Sequence, residues 1–236
     1  MKRKLAEMMV EVEAVQAMVF DRSLPNHQRK SKEIEQLRLA PAVVKLRAAR
    51  LGITMAGDAM EIFGGNGYVE TWPIARILRD AHVNSIWEGA DNILCLDVRR
   101  AIEREEADVP FMERIEEAID NAGESSPATR FVADRAEDLR RALRAWKDLE
   151  RTTAEARLFP LSQFMGEVYA GALLVEQAEW EQRQSGSDRK ALVARLFAER
   201  HLAAPDPLRG MASRDESVDR FDDLLAGAFL DETAPL

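Results

Sequence analysis

The sequence predicts an all-α protein, an antiparallel helical bundle followed by a second helical extension. Three observations carry this. Gly and Pro are sparse, at 12 and 9 in 236 residues, and β-branched runs are few, which favours helices over strands. Apolar residues recur at helical spacing along most of the chain. The breaks between these stretches are short and carry turn chemistry, so neighbouring helices should run antiparallel.

Leu5, Met8, Met9, Val12, Val15 and Val19 make an apolar stripe, predicting a helix over about residues 2–21 that ends at Ser23–His27. A second helical pattern starts near Ser31. Pro41 interrupts it, either as a kink or as the first-turn residue of a new helix. From there Val44, Ala48, Leu51, Met55, Ala59 and Ile62 trace a stripe that stops at Gly64-Gly65-Asn66-Gly67, where glycines suit a helix C-cap and a tight turn. A short helix is expected from Pro73 to about Asp80, then an irregular stretch, then a helix from about Ala90 to Glu105. Ala107–Pro110 reads as a domain boundary, dividing the chain into 1–107 and 108–236. Beyond it, helices are expected over Phe111–Ala122, Pro127–Phe159, Leu161–Gln184, Asp188–Ala203 and Glu216–Leu230.

Composition bounds the function. Hydrophobic residues make up 46% of the chain, enough for real cores and against disorder. The single cysteine, Cys95, excludes an internal disulfide framework and reads as a buried spectator. No stretch reads as a membrane span. Acidic residues interrupt the basic N-terminus, which is unlike a signal peptide, and the expected location is cytoplasmic. The formal net charge is -9, which disfavours nucleic acid as the main partner. Residues 1–107 are charge-balanced, whereas 108–236 hold 17 basic and 26 acidic residues. One basic face in the second half, Arg140, Arg141, Arg144, Lys147 and Arg151, is interleaved with Glu137, Asp138, Asp148 and Glu150, as in a solvated helix face. His27, His82 and His201 show no ligand spacing, so no metal site is expected. Trp72, Trp146 and Trp180 read as packing or interface residues.

One segment says more than "helical protein". It runs Ala59-Met-Glu-Ile-Phe-Gly-Gly-Asn-Gly-Tyr68, then Pro73-Ile-Ala-Arg-Ile-Leu-Arg-Asp80, then Asn84-Ser-Ile-Trp-Glu-Gly89. Each piece alone is weak: a Gly-Gly-x-Gly run is a common turn, and an acid at a helix start needs only the macrodipole. In this order they resemble the C-terminal helical domain of acyl-CoA dehydrogenases, in particular the AidB-like branch, where Glu replaces a Gln before the glycines and Trp precedes the catalytic Glu. Asn92-Ile-Leu-Cys-Leu-Asp-Val98 continues the likeness, which covers Met1 to about Glu105. The acidic half resembles the branch's helical extension in architecture.

The resemblance implies an FAD-dependent oxidoreductase of fatty acid metabolism, with Glu88 as the base that removes the α-proton of an acyl-CoA thioester. That proton is too weakly acidic for an ordinary carboxylate, so the site must desolvate the base and hold the enolate-like oxygen with fixed donors. Ile86 and Trp87 beside Glu88 suit a dry, apolar pocket. The resemblance gives the carbonyl to the N–H of Glu88 and a flavin ribityl hydroxyl. Gly89 would let the thioester approach closely, and Trp87 in place of Tyr would narrow the acyl cavity. Glu61, Ile62, Phe63, Gly64 and Gly65 match the turn that contacts the adenine dinucleotide part of FAD, often of a neighbouring subunit. Ala90, Asp91 and Asn92 match positions that contact flavin. Ala90 lacks the usual hydroxyl, and Asp91 puts an acid near a phosphate-bearing cofactor, unfavourable unless it points away. Arg76, Arg79 and Asp80 are read as structural.

The family's N-terminal helical domain, middle β-domain and first helix of this bundle have no counterpart in the sequence. The isolated chain is therefore expected to show little activity, and to work as a homo-oligomer or with a chain supplying flavin-binding domains. Two alternatives differ in class: a DNA-associated flavoprotein fragment like AidB, and an inactive helical oligomerisation domain. Flavin absorbance, salt-sensitive DNA retention and a colourless stable oligomer respectively separate the three.

Overall fold

A computed structural model describes residues 1–21, 38–123, 126–204 and 215–226. Among these residues the chain forms helices and no strand. The helices are α1 (Lys2–Phe20), α2 (Ala40–Phe63), α3 (Gly65–Tyr68), α4 (Ile74–Asn84), α5 (Asp91–Glu105), α6 (Asp108–Ala122), α7 (Pro127–Lys147), α8 (Arg151–Ser185), α9 (Arg189–His201), α10 (Glu216–Asp219) and α11 (Phe221–Leu225). The expected turn at Ser23–His27, the start near Ser31 and everything after Ala226 lie outside the described residues.

The long helix α8 is the axis of the molecule. It packs against α1, α2, α5, α6, α7 and α9 and buries side chains from Ala154 to Ala178. One continuous apolar core runs from Ala6 on α1 to Leu224 on α11, so the segments before and after residue 107 share it. Small residues let the backbones approach. At Gly171 a Cβ would lie 2.8 Å from Leu202 Cδ1 and 3.1 Å from Val132 Cγ2.

Four expectations are corrected here. The first concerns α8. A helix was expected over Pro127–Phe159 with a break at Pro160, but the break falls at Asp148–Glu150 and α8 runs through Pro160. Glu150 decides this: its carboxylate caps α8 by accepting from the N–H groups of Thr152 (3.0 Å) and Thr153 (3.3 Å). Pro160 forfeits one backbone bond, while Leu158 and Leu161 on either side of it stay buried in the bundle. The second concerns membranes. By length and composition α8 is long and apolar enough to cross one, yet 72% of its apolar window is buried inside the protein. The third is α4, which continues past Asp80 to Asn84.

The fourth concerns which faces are buried. The stripes read from α1 and α2 are only half-buried. Leu5, Met8, Met9, Val12 and Met55 line an open groove of about 480 Å³. The buried face of α1 is Ala6, Val10, Ala14, Ala17 and Met18, with Glu11 and Glu13 among them. That of α2 is Ala42, Val43, Leu46 and Ala49 with Arg47. Buried charges mislead a hydropathy reading; here each has a partner. Pro41 takes the first-turn role.

Those partners tie the two halves together. Glu11 accepts from Arg47 at 2.8 Å and pairs with His201 of α9. Burial works against its ionisation, but His201, Arg47 and Arg200 outweigh it and hold its carboxyl below the usual range. Glu13 pairs with Arg189 and, at 2.6 Å, with Lys190, with the same outcome. Just past α1, Asp21 accepts from Arg114 of α6 at 2.8 Å and from the Tyr169 hydroxyl of α8 at 2.6 Å. Arg114 also reaches Glu176 at 2.6 Å.

Candidate active site

The site is built on α2, the turn that ends it, and the loop between α4 and α5. At the C-terminus of α2, Gly64 has φ 59°, and its N–H closes on Glu61 O at 3.1 Å. This left-handed backbone favours glycine. Gly67 is needed for a different reason: a Cβ there would lie 2.4 Å from Met60 O. The turn folds back on the helix only because that Cβ is missing. Phe63 and Trp72 then meet at 5.9 Å between ring centroids, both partly exposed. Of the turn's candidate residues, Glu61, Phe63, Gly64 and Gly65 are exposed and Ile62 is half-buried.

Helix α4 ends in tight turns. Ile86 and Trp87 donate to Val83 O at 2.9 and 3.1 Å, and Trp87 Nε1 reaches Asn84 Oδ1 at 3.2 Å. Glu88 then stands at φ 56° and Gly89 at φ 110°, which places Glu88 on a loop as expected. A left-handed non-glycine residue costs about 1–2 kcal/mol. A side chain from α2 offsets that cost. Lys45 Nζ donates to Trp87 O at 2.9 Å and to Gly89 O at 2.6 Å, one bond on each side of Glu88. Hydrogen bonds to charged groups contribute about 1.5–3 kcal/mol each, and half-exposed Lys45 falls at the low end. Gly89 owes its identity first to its φ, and a Cβ there would also press to 3.2 Å on Leu94 Cδ2.

From the same helix Arg50 holds the next residues. Its Nε donates to Asp91 Oδ2 at 2.6 Å. Asp91 is buried, with Oδ2 of its carboxylate on Arg50 and Oδ1 buried without a partner among the described residues. Ala90 caps α5, its carbonyl accepting from Ile93 and Leu94 at 2.8 and 3.0 Å. Ala90 and Asn92 are exposed.

Glu88 is exposed, and Ile86 and Trp87 are 67% and 59% exposed. The dry pocket expected around the carboxylate is thus not made within the described chain. The loop projects from the end of α4, and its apolar flanks face outward. The loop and the Glu61–Gly65 turn also do not converge. Lys45 and Arg50 hold the loop, whereas Glu61 lies eleven residues beyond Arg50 on α2, about 16 Å along the axis. Lys45 and Arg50 were missed in the sequence. The available signal was three cations, Lys45, Arg47 and Arg50, in the first three turns of α2, where no acid stands.

Residues 1–103 match the family model described as acyl-CoA dehydrogenase, C-terminal domain, and residues 109–219 match the one described as acyl-CoA dehydrogenase 11 C-terminal domain-like. The chain carries the all-helical C-terminal region of the acyl-CoA dehydrogenase family, to which it belongs. Within that family it is 31% identical over 159 residues to acyl-CoA dehydrogenase family member 11 of Caenorhabditis elegans, covering 63% of this chain and 26% of that protein. It is 35% identical over 106 residues to the putative acyl-CoA dehydrogenase AidB of Escherichia coli, covering 44% of this chain and 20% of that one. The chain thus spans about a quarter or less of these relatives. The crystal structure of C. elegans ACDH-11 in complex with C11-CoA superposes with a TM-score of 0.75 at 25% identity, over 98% of this chain and 40% of that one. An acyl-CoA dehydrogenase from Bacillus anthracis complexed with FAD shares the fold, with a TM-score of 0.66 at 15% identity over 98% and 42%.

Proposed function

We infer that this chain supplies the base-bearing part of an FAD-dependent acyl-CoA dehydrogenase, in which Glu88 removes the α-proton of an acyl-CoA thioester. The observation that carries the reading is the loop Trp87–Gly89. It holds an exposed carboxylate on a backbone at positive φ, with Lys45 donating to the carbonyls of Trp87 and Gly89 on either side. An acid that served only the start of α5 would not need that conformation. Among the described residues the N–H of Glu88 has no acceptor within the chain, so it is free to donate to a thioester oxygen as negative charge develops there.

The roles follow from chemistry. The Glu88 carboxylate takes the α-proton. Its own N–H steadies the carbonyl oxygen. Ile86 and Trp87 form apolar walls that desolvate the carboxylate once covered, which raises its basicity. FAD, when bound, supplies the acceptor for the hydride leaving the β-carbon. The chain's residues fit that group in two separate places. The open Glu61–Gly65 turn has no atom within 4 Å of a Cβ placed at Gly64 or Gly65, so ribose or phosphate oxygens can come close to its backbone. Ala90 and Asn92 lie beside the loop; Asp91 is left to Arg50. The distance between the two places supports their serving cofactors of different subunits, in a homo-oligomer or with flavin-bearing domains that also cover Ile86 and Trp87. The C11-CoA bound to the C. elegans structure supports acyl-CoA as the ligand class. The basic face of α7 supports this reading over DNA association: Arg140 pairs with Glu116 and Glu137, Arg141 with Asp138, and Lys147 with Asp108. We place the protein in the cytoplasm; its one thiol, Cys95, is buried.

The test is spectroscopic. A flavin-loaded assembly containing this chain should bleach anaerobically on mixing with at least one acyl-CoA of a chain-length panel. An assembly with FAD fully bound that bleaches with none of them would end the dehydrogenase reading.

A further inference from the structure

We propose that Lys45 is the positioning residue of the site, setting the direction of the Trp87–Glu88 and Gly89–Ala90 peptide planes on either side of the Glu88–Gly89 peptide, and so the aim of the Glu88 N–H and carboxylate. The proposal rests on the reading of Glu88 as the base. One ammonium meets two carbonyls, Trp87 O at 2.9 Å and Gly89 O at 2.6 Å. The residue between them is a non-glycine at φ 56°. In a planar trans peptide the C=O and N–H point in opposite directions. Because Trp87 O is drawn onto Lys45, the N–H of the same peptide, that of Glu88, is turned away from α2. The second bond does the same for the peptide joining Gly89 and Ala90. Lys45 therefore acts on the reacting groups through the backbone, without touching a substrate.

Lysine suits the task. A compact ammonium with three rotatable donors on a long stem can meet two converging carbonyls, whereas a guanidinium presents its donors in a fixed planar fork. Its anchor is firm, since Val43 and Leu46 beside it on α2 are fully buried. Arg50, farther along the same helix, fixes Asp91 immediately after the loop. The two cations thus hold both ends of the segment from Trp87 to Asp91, and Lys45 alone reaches across Glu88.

The experiment is hydrogen exchange with mass spectrometry on the full chain, comparing wild type, Lys45→Met, Glu88→Gly and the double variant. Exchange at residues 86–94 should quicken at least tenfold in Lys45→Met, equivalent to about 1.4 kcal/mol, while α8 keeps its protection. Glycine at 88 removes the penalty of positive φ, so Lys45→Met/Glu88→Gly should recover at least threefold of that loss. A loop unchanged in Lys45→Met overturns the proposal. So does a quickened loop that glycine at 88 does not slow, since Lys45 would then be a packing contact only. If Lys45→Met fails to fold, Lys45→Gln carries the same comparison. The readout needs neither flavin nor thioester. A Glu88 shown not to be the base would end the functional reading and leave the exchange result standing.

Discussion

Replacing Arg114 with Met should destabilise this chain more than any surface change. Arg114 is 6% exposed. Its guanidinium meets Asp21 at 2.8 Å and Glu176 at 2.6 Å, joining the end of α1 to α6 and α8. Burial opposes its charge, but the two carboxylates outweigh burial and raise its pKa. Methionine fills similar space and leaves both acids without their cation; Asp21 keeps only the Tyr169 hydroxyl among the bonds described. Removing one partner of a buried pair costs about 3–5 kcal/mol. At about 2–4 °C per kcal/mol for a chain of this size, Tm should fall by about 6–20 °C. Calorimetry or far-UV circular dichroism reads this directly. Adding Asp21→Asn should return part of the loss, because one stranded charge is then gone. A fall under about 2 °C, or a double variant no more stable than the single, would show that the two halves are not joined through this network.

Gly67→Ala should lower Tm by about 2–12 °C, since a Cβ 2.4 Å from Met60 O forces backbone strain of about 1–3 kcal/mol; an unchanged Tm argues against the turn geometry. Glu88→Gln alters an exposed side chain, so its stability should stay within about 0.5 kcal/mol of wild type, which a denaturant titration measures. The acid side of the stability profile should follow Glu11 and Glu13, whose ordinary value is 4.5 and whose carboxyls are held below it in the fold. Their contribution is complete above that value and is lost as pH falls through the lowered ones. Glu167, pushed up by burial, works the other way: it favours the folded state below 4.5 and loses that advantage as pH rises. Tm should therefore fall steeply below pH 4.5, and Glu13→Gln, although less stable near neutrality, should lose less over that range than wild type.

Much of the architecture was legible because helices announce themselves by period and by their ends. The boundaries of α1, α5 and α9 follow apolar spacing and adjoining turn residues, and Gly64 marks the end of α2 through its backbone freedom. What was not legible depended on partners remote in sequence. Glu11 and Glu13 look like solvent-facing residues until Arg47, Arg189, Lys190 and His201 are brought to them, so the true inner face of α1 read as its polar side. Asp148–Glu150 was passed over because the Pro160 signal is louder than a glutamate cap. The segment Ile86–Gly89 stood out as a motif, and its place on a loop was legible too. Its conformation was not, because Lys45 lies 42 residues before Trp87 and carries no motif of its own. The covering of the carboxylate could not be read from this chain, since none of its described elements supplies it.

The central claim is that Glu88 takes the α-proton. It is tested most directly by the rate of anaerobic flavin bleaching in an assembly containing this chain, wild type against Glu88→Gln, with one active acyl-CoA at saturation and FAD content matched. Glutamine keeps size and shape and removes the basic oxygen. The rate should fall at least 10²–10⁴-fold, the range of about 2.7–5.4 kcal/mol typical of a lost general base. Equal bleaching rates in the two proteins would contradict the assignment and require another residue to be the base.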